Sequence, residues 1–272
     1  MKAVISSTYD DKYLFFIPIV TWCWNKLGVD VICFAPNTDW NLRACLVFDT
    51  LVNNKMGYDY KQFKSPDHKE ATYAQCSRLY AACLNLPESE ILITSDVDMA
   101  LFQIPPYNGD ITIFGSDLVP PKQYPMCYAS ATVKDWRSIM KLNYGGWDGD
   151  TAVNMLKTYQ QCLDELLGHI ETEHFRGNYW GKDQETLWEN ACDVSKLIPR
   201  TNGHTPFATK RYDRDDAYLL DRLNPDTIDY HLPRPGYEEN NFRQIMTVLN
   251  CHYPNENFDW LIDYRNKYVE LL

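Results

Sequence analysis

The sequence predicts an α/β protein built on a mixed, mostly parallel central sheet flanked by helices, in a single domain. Three observations carry that expectation. Over the first hundred residues short apolar runs alternate with segments of helical period, the pattern of βαβ units. The chain has 272 residues, 45% of them apolar, enough to bury one large core. No repeat, low-complexity tract or linker divides it.

The elements follow in order. Lys2 to Ser6 reads as a strand and Asp11 to Leu27 as a helix ended by Gly28. Val29 to Ala35 is a second strand, stopped by Pro36-Asn37. Asp39 to Asn53 is helical, with Leu42, Cys45, Leu46, Phe48 and Leu51 on one broad face. Tyr58 to Phe63 reads as a third strand. Asp67 to Leu84 reads as a helix in which Tyr73, Cys76, Leu79, Tyr80 and Cys83 keep the period. A strand follows at 91–95. In the second half, Asp110 to Phe114 and Met126 to Val133 read as strands and Asp135 to Leu142 as a short helix. Thr151 to Leu167 reads as an amphipathic helix through Val153, Leu156, Tyr159, Leu163, Leu166 and Leu167. Asp183 to Asn190 is a further helix, Val194 to Ile198 and Thr227 to His231 are strands, and the C-terminal stretch is helical.

Charge and cysteine usage narrow the classes. The formal net charge is −11, which repels phosphate backbones and excludes nucleic acid as the principal partner. A phosphorylated ligand would then need a local cation, either a metal or placed Arg and Lys. Nine cysteines, an odd number without a CxxC pair, read as small hydrophobes in a reducing compartment. Met1-Lys2 leads straight into a strand, so no N-terminal signal is expected. The apolar run Tyr13 to Trp24 is too short to span a bilayer. The expectation is a soluble, cytoplasmic protein without an integral membrane segment. Its 19 Tyr and 8 Trp suit a sugar-binding cleft, whose flat rings cover pyranose faces.

One stretch carries chemistry. Ile91-Leu92-Ile93-Thr94 is a core strand that runs into Asp96 and Asp98. In parallel sheets ligands bind beyond the carboxyl ends of strands, which is where these two aspartates stand. On a regular strand i and i+2 share one face; at a strand end, where the chain turns, the two carboxylates can also converge on one cation. Hard oxygen ligands suit Mn²⁺ or Mg²⁺, which bridge diphosphate oxygens. A solvated turn is the plain alternative.

Further features follow in order: the polar loop Ser6-Ser7-Thr8-Tyr9-Asp10 leading to Tyr13, Arg78 in Cys76-Ser77-Arg78-Leu79-Tyr80, Leu86-Pro87-Glu88, Asp96-Val97-Asp98, Gly181-Lys182-Asp183-Gln184, and His231-Leu232-Pro233-Arg234-Pro235-Gly236. In this succession, from about residue 2 to about residue 240, the chain resembles the nucleotide-sugar-dependent glycosyltransferases of the GT-A fold, nearest to glycogenin-like and bacterial galactosyltransferase-like members. The resemblance implies a GT-A, Rossmann-like fold with a nucleotide-binding half over about 1–100 and an acceptor-binding half over about 101–272. It implies transfer of a sugar from a nucleoside diphosphate sugar, a UDP-sugar first, to a hydroxyl of a glycan acceptor, with Mn²⁺ or Mg²⁺. It places Asp96 on the ribose and metal, Asp98 as principal metal ligand and His231 as the third ligand; a loop histidine is the plain reading of His231.

Ser7, Tyr9 and Tyr13 match positions that hold base and ribose, although Tyr13 also suits core packing. Arg78 needs an anion, either a structural Asp or the donor. Lys182 and Arg234 are phosphate candidates. Asp183 and Gln184 stand for the reaction centre, and Asp183 also suits a helix N-cap. Asp148 with Trp147 suits an acceptor sugar, and Asp150 a cap for a helix starting near Thr151. Cys127-Tyr128-Ala129-Ser130-Ala131 departs from the Asn-Ala-Gly-type segment of the resembled enzymes and reads as core strand. Asp183 or Asp148 would take the acceptor proton if the anomeric centre inverts. The Asp-Gln pair and late His lean toward retaining geometry, with Asp183 or Gln184 near the anomeric carbon.

Three other classes compete. A haloacid-dehalogenase-like phosphatase would use Asp96 as nucleophile, but places it on its first strand. Its acidic pair would be Asp215-Asp216, in a charge-rich stretch, Arg211 to Asp216, that reads as a solvated loop. A nucleotidyltransferase would show a Gly-rich basic loop that Ser6 to Asp10 lacks. A non-catalytic carbohydrate-binding protein would not need a metal set.

Overall fold

The computed structural model describes the chain outside residues 38–40, 67–68, 108, 116–119, 149–150, 169–180, 199–210, 215–222 and 225, and outside the side chains of 144–155. The first hundred residues give β1 (Lys2–Ser6), α1 (Asp11–Leu14), α2 (Ile17–Lys26), β2 (Asp30–Pro36), α3 (Leu42–Asn53), β3 (Tyr58–Phe63), α4 (Glu70–Ser77) and a 3₁₀ turn over Arg78–Cys83. β4 (Ile91–Thr94) and β5 (Met99–Leu101) follow. Then come β6 (Thr112–Phe114), β7 (Ala129–Thr132), α5 (Val133–Ile139), β8 (Asn143–Asp148), β9 (Thr151–Leu156), α6 (Tyr159–Leu167), α7 (Lys182–Ala191), β10 (Lys196–Ile198), β11 (Asp229–His231), α8 (Glu239–His252) and α9 (Asp259–Glu270). Seven strands form the central sheet in the order β10-β6-β7-β4-β1-β2-β3. β1, β2, β3 and β4 are mutually parallel, β10 is parallel to β6, and β7 runs antiparallel between β4 and β6.

Strand alternation builds two cores. Ala3, Ile5, Val31, Cys33 and Ile93 face one side, with α2, α8 and α9. Val4, Ile32, Phe34 and Leu92 face the other, with α4, α5, α6 and α7. The inner strands therefore read as unbroken apolar runs, since both faces are covered. No helix of the described residues is long and apolar enough to cross a membrane. All nine thiols are free.

Three element predictions are corrected. The helix expected over Asp11 to Leu27 breaks at Phe15-Phe16, because Pro18 has no N–H for the Leu14 carbonyl and its ring crowds that turn. Gly28, at φ 75°, ends α2 as foreseen. The helix expected over Asp67 to Leu84 tightens into a 3₁₀ turn from Arg78. The helix expected over Thr151 to Leu167 is a strand followed by a shorter helix. Its real start is a capping box: Thr158 Oγ1 accepts from Gln161 N and Gln161 Oε1 accepts from Thr158 N. Upstream of it, Thr151–Leu156 pairs antiparallel with Asn143–Asp148. No helix therefore begins at Thr151 for Asp150 to cap, and Asp150 lies outside the described residues.

One core group carries a pH prediction. His252 stacks on Phe102 at 3.7 Å between ring centroids, and its Nε2 is buried without a hydrogen-bond partner among the described residues. Burial pushes its pKa down to about 4. Between the unfolded value of about 6.5 and that folded value the unfolded chain binds more protons, so acid removes stability. His252→Phe keeps the stack and cannot titrate. Its urea-unfolding free energy relative to wild type is expected to rise between pH 7 and 4.5 by roughly 2 kcal/mol after discounting partial exposure. A gap constant with pH would rule this out.

Candidate active site

The carboxyl ends of β1 and β4 open into one cleft. β4 ends at Thr94, and Ser95 N still donates to Val4 O at 2.9 Å, so the ladder holds up to the motif. The chain then turns, with Met99 N reaching back to Asp96 O, and Val97 buried in the core beneath. β5 follows at once and pairs antiparallel with β11, with His231 opposite Met99. Leu232 N donates to Asp98 O at 2.9 Å. This register is what brings His231 to Asp98.

Nine of the residues expected at the site line this cleft together: Ser7, Tyr13, Arg78, Asp96, Asp98, Asp183, Gln184, His231 and Arg234. Arg214 joins them. Tyr9 does not line it, because its hydroxyl pairs with that of Tyr60 on β3 at 2.5 Å. Lys182 stands at the start of α7 and is not among the lining residues. The side chains of Trp147 and Asp148 lie outside the described residues.

Arg78 lines the cleft and finds anions within the chain, Asp96 and Asp183. Its guanidinium is 4% exposed and bridges Asp96 Oδ1 and Asp183 Oδ2, the latter at 2.6 Å. It also donates to the carbonyls of Ser95 and Gln75 at 3.0 and 3.1 Å. Burial raises the pKa of Asp96, but Arg78 and a thiol hydrogen bond outweigh it and leave the group below the usual carboxylate value. Asp183 is raised, chiefly by burial, with Arg78 opposing and Asp96 adding. It is not the N-cap of α7. That position is Gly181, and Asp183 sits inside the first turn, its Oδ1 accepting from Gln184 N at 2.9 Å.

Cys127 belongs to the site rather than to the strand. Its buried thiol donates to Asp96 Oδ2 at 2.7 Å, and burial and Asp96 hold its pKa well up, so it stays a donor. β7 begins two residues later. Composition marked Cys127 only as apolar, and no local pattern signals this contact.

Asp98 Oδ2 is met by Arg214 Nη1 at 3.1 Å, His231 Nε2 at 3.3 Å and Arg234 Nε at 3.4 Å. Arg234 also lies over the Tyr13 ring, 4.9 Å from its centroid, and donates to the Tyr13 hydroxyl. One face of that ring is thus already covered. Two residues on, Gly236 packs closely against Phe16: a Cβ there would lie 2.3 Å from Phe16 Cε1. Gly236→Ala is expected to cost about 1–3 kcal/mol by overpacking, read as a lowered denaturant midpoint. An unchanged midpoint would show that the ring yields freely.

The stretch expected as a solvated loop is corrected over its described part. Tyr212 is buried, bridges Tyr230 in parallel and exchanges backbone hydrogen bonds with β11. Arg211 pairs with buried Asp229 through two contacts of 3.3 Å. Polar composition suggested solvent; the buried Asp229 facing it could not be seen locally. Asp215 and Asp216 lie outside the described residues.

The lining residues include three carboxylates, Asp96, Asp98 and Asp183, and three guanidiniums, Arg78, Arg214 and Arg234. Among the described lining residues these charges balance before any ligand enters. Among the described residues no group of three or more His, Cys, Asp or Glu side chains forms a ready metal cage.

The fold is that of the GT-A glycosyltransferases. GlyE of Streptococcus pneumoniae TIGR4, a glycosyltransferase, superposes with a TM-score of 0.50 at 11% identity, over 99% of this chain and 63% of its own. Its apo form gives 0.50 at 12% identity over the same shares. This chain thus spans 63% of GlyE's length. The galactosyltransferase LgtC, solved with donor and acceptor sugar analogs, superposes less closely, at 0.46 and 8% identity. No family model and no curated protein matches the sequence.

Proposed function

We propose that this chain is a metal-dependent glycosyltransferase that moves a sugar from a nucleoside diphosphate sugar, a UDP-sugar by the resemblance above, to a hydroxyl of a glycan acceptor. The observation that carries this is the convergence of nine separately expected residues on one cleft of a GT-A fold. They come from both halves of the chain, which we take as one catalytic domain. Fold alone does not assign chemistry, so the weight rests on the site.

Two members of the proposed donor set, Asp98 and His231, are spaced for a hard divalent cation; Asp96 would have to turn from Arg78 and Cys127 to join them. Asp98 Oδ2 and His231 Nε2 are 3.3 Å apart, close to the ~3 Å between neighbouring ligands of an octahedral ion with bonds of about 2.1 Å. Asp98, His231 and Asp96 would hold Mn²⁺ or Mg²⁺, and the bound cation supplies charge neutralisation for the departing diphosphate. Electrostatics supports the need. Among the described lining residues no surplus positive charge meets a diphosphate, and a divalent ion would supply it.

The remaining roles belong to side chains. Ser7 and Tyr13 border the nucleoside region, and Arg234 faces the diphosphate. Asp183, which is paired with Arg78, and Gln184 would sit beside the anomeric carbon. A retaining reaction uses them there; an inverting one uses Asp183, whose raised pKa suits proton acceptance. Asp148 remains the acceptor-side candidate. A thermal-shift series of nucleoside diphosphates and their sugars, with and without Mn²⁺, tests the reading. A metal-dependent rise with a UDP-type ligand is expected. Equal rises without metal, or none with any nucleotide, would count against it.

A further inference from the structure

We infer that Arg214, a residue no local motif marks, is a binding residue for the diphosphate of the donor; the inference rests on the function proposed above and deepens it. The three guanidiniums of the cleft differ in how far the protein already uses them. Arg78 spends its donors on two carboxylates and two carbonyls. Arg234 is committed to the ring and hydroxyl of Tyr13 as well as to Asp98. Arg214 makes one hydrogen bond among the described residues, to Asp98 Oδ2. A guanidinium carries five N–H donors, so four are without a protein partner there.

That single contact is also the most replaceable one. The same Asp98 oxygen already faces His231 Nε2 and Arg234 Nε, and a carboxylate oxygen has room for about two donors. A cation on Asp98 would repel Arg214 from that oxygen. The planar fork then has a matching anion at hand, since guanidinium pairs with phosphate oxygens in a two-point fashion. The backbone two residues upstream is tied down: Tyr212 N donates to Asp229 O at 3.1 Å, His231 N donates to Tyr212 O at 2.8 Å, and Arg211 is paired with Asp229. Arg214 follows as a partly exposed donor at the cleft wall, 21% exposed where Asp98 is 8%.

The test is calorimetric titration of wild type, Arg214→Gln and Arg214→Lys with UDP, UMP and inorganic pyrophosphate, in Mn²⁺. Loss of a charge-assisted hydrogen bond predicts UDP and pyrophosphate affinity down roughly 10- to 100-fold in Arg214→Gln. UMP affinity is expected to move much less, and Arg214→Lys to recover part of the loss by restoring charge without the fork. A role limited to partnering Asp98 predicts otherwise: UDP and UMP weakened equally, or neither. Either result overturns the assignment. UDP bound equally by wild type and Arg214→Gln removes only the role of Arg214. Wild type binding no nucleoside diphosphate removes the proposed function and this inference together. Melting temperatures of the free proteins show whether Arg214→Gln folds, and Arg214→Lys carries the test if it does not.

Discussion

Asp98→Ala is expected to abolish the Mn²⁺-dependent rise in melting temperature that a UDP-type ligand gives wild type. A ligand at a hundred times its dissociation constant stabilises the native state by about 2.7 kcal/mol, worth several degrees in a protein of this size. Asp98 is the hub of the cleft: its Oδ2 lies within 3.4 Å of Arg214, His231 and Arg234. Removing it takes away the hard oxygen donor beside His231 and leaves the guanidiniums of Arg214 and Arg234 without the carboxylate that offsets their charge, so Asp96 and His231 alone would have to hold the ion. The free variant is compared with its own ligand-bound form, so a lowered starting stability does not mimic the result. Asp98→Asn refines the test, since it keeps the shape and an oxygen donor but loses the charge. It is expected to weaken the metal-dependent shift strongly without restoring the alanine phenotype in full. A full-sized, metal-dependent shift in Asp98→Ala would remove the acidic pair from the proposed chemistry.

Arg78→Ala is expected to destabilise the fold by about 3–5 kcal/mol, the usual cost of breaking a buried ion pair from one side. Both members of the Arg78–Asp183 pair are nearly inaccessible, at 4% and 2%, so solvent does not screen the loss. For a chain of this length the melting temperature falls on the order of 10 °C. The pH dependence has a definite sign. Asp96 is held below its ordinary value despite burial, with Arg78 the largest opposing influence. A depressed carboxyl contributes stability above its unfolded pKa and loses it as pH falls through the folded one. Asp183 is raised, by burial first, and so favours the folded state as it protonates. Without Arg78 the pKa of Asp96 rises from its depressed value and that of Asp183 rises further, so both take up protons earlier and the variant's deficit is expected to shrink from pH 8 toward pH 4.5. Combined with Asp183→Asn, the two losses are expected to add to less than their separate values, because the second change removes the charge that the first left unpaired. A deficit that is independent of pH, or strictly additive, would mean that Arg78 acts through packing alone.

Local chemistry was legible wherever one short stretch determined it. Tyr58–Phe63 forms the strand expected of it, and the strand-to-aspartate junction at Ile91–Asp98 stands as read, because an apolar run followed by a turn is a local signal. The single long helix over 151–167 failed where two signals of the same period ran together. Val153 and Leu156 fit a helical face, but the residues that decide are Thr158 and Gln161, which cap, and Asn143 to Asp148, which pair. At Arg211 and Tyr212 the solvated-loop reading failed for the opposite reason, since polarity read as solvent where Asp229 was waiting inside.

By itself the sequence determined the alternating α/β order, the two covered faces of the sheet and the place of Asp96 and Asp98 at a strand's carboxyl end. These depend on burial, which hydrophobic periodicity records residue by residue. Only the tertiary structure decided that Arg78 ties Asp96 to Asp183, that Cys127 turns its thiol to Asp96, that Tyr9 leaves the cleft for Tyr60, and that Arg214 and His231 meet on one oxygen of Asp98. Each is a contact of a few ångströms between residues far apart in the chain, set by strand order and by the β5–β11 register. Periodicity says which face a side chain takes; it does not say which partner from the far end of the chain is brought to that face.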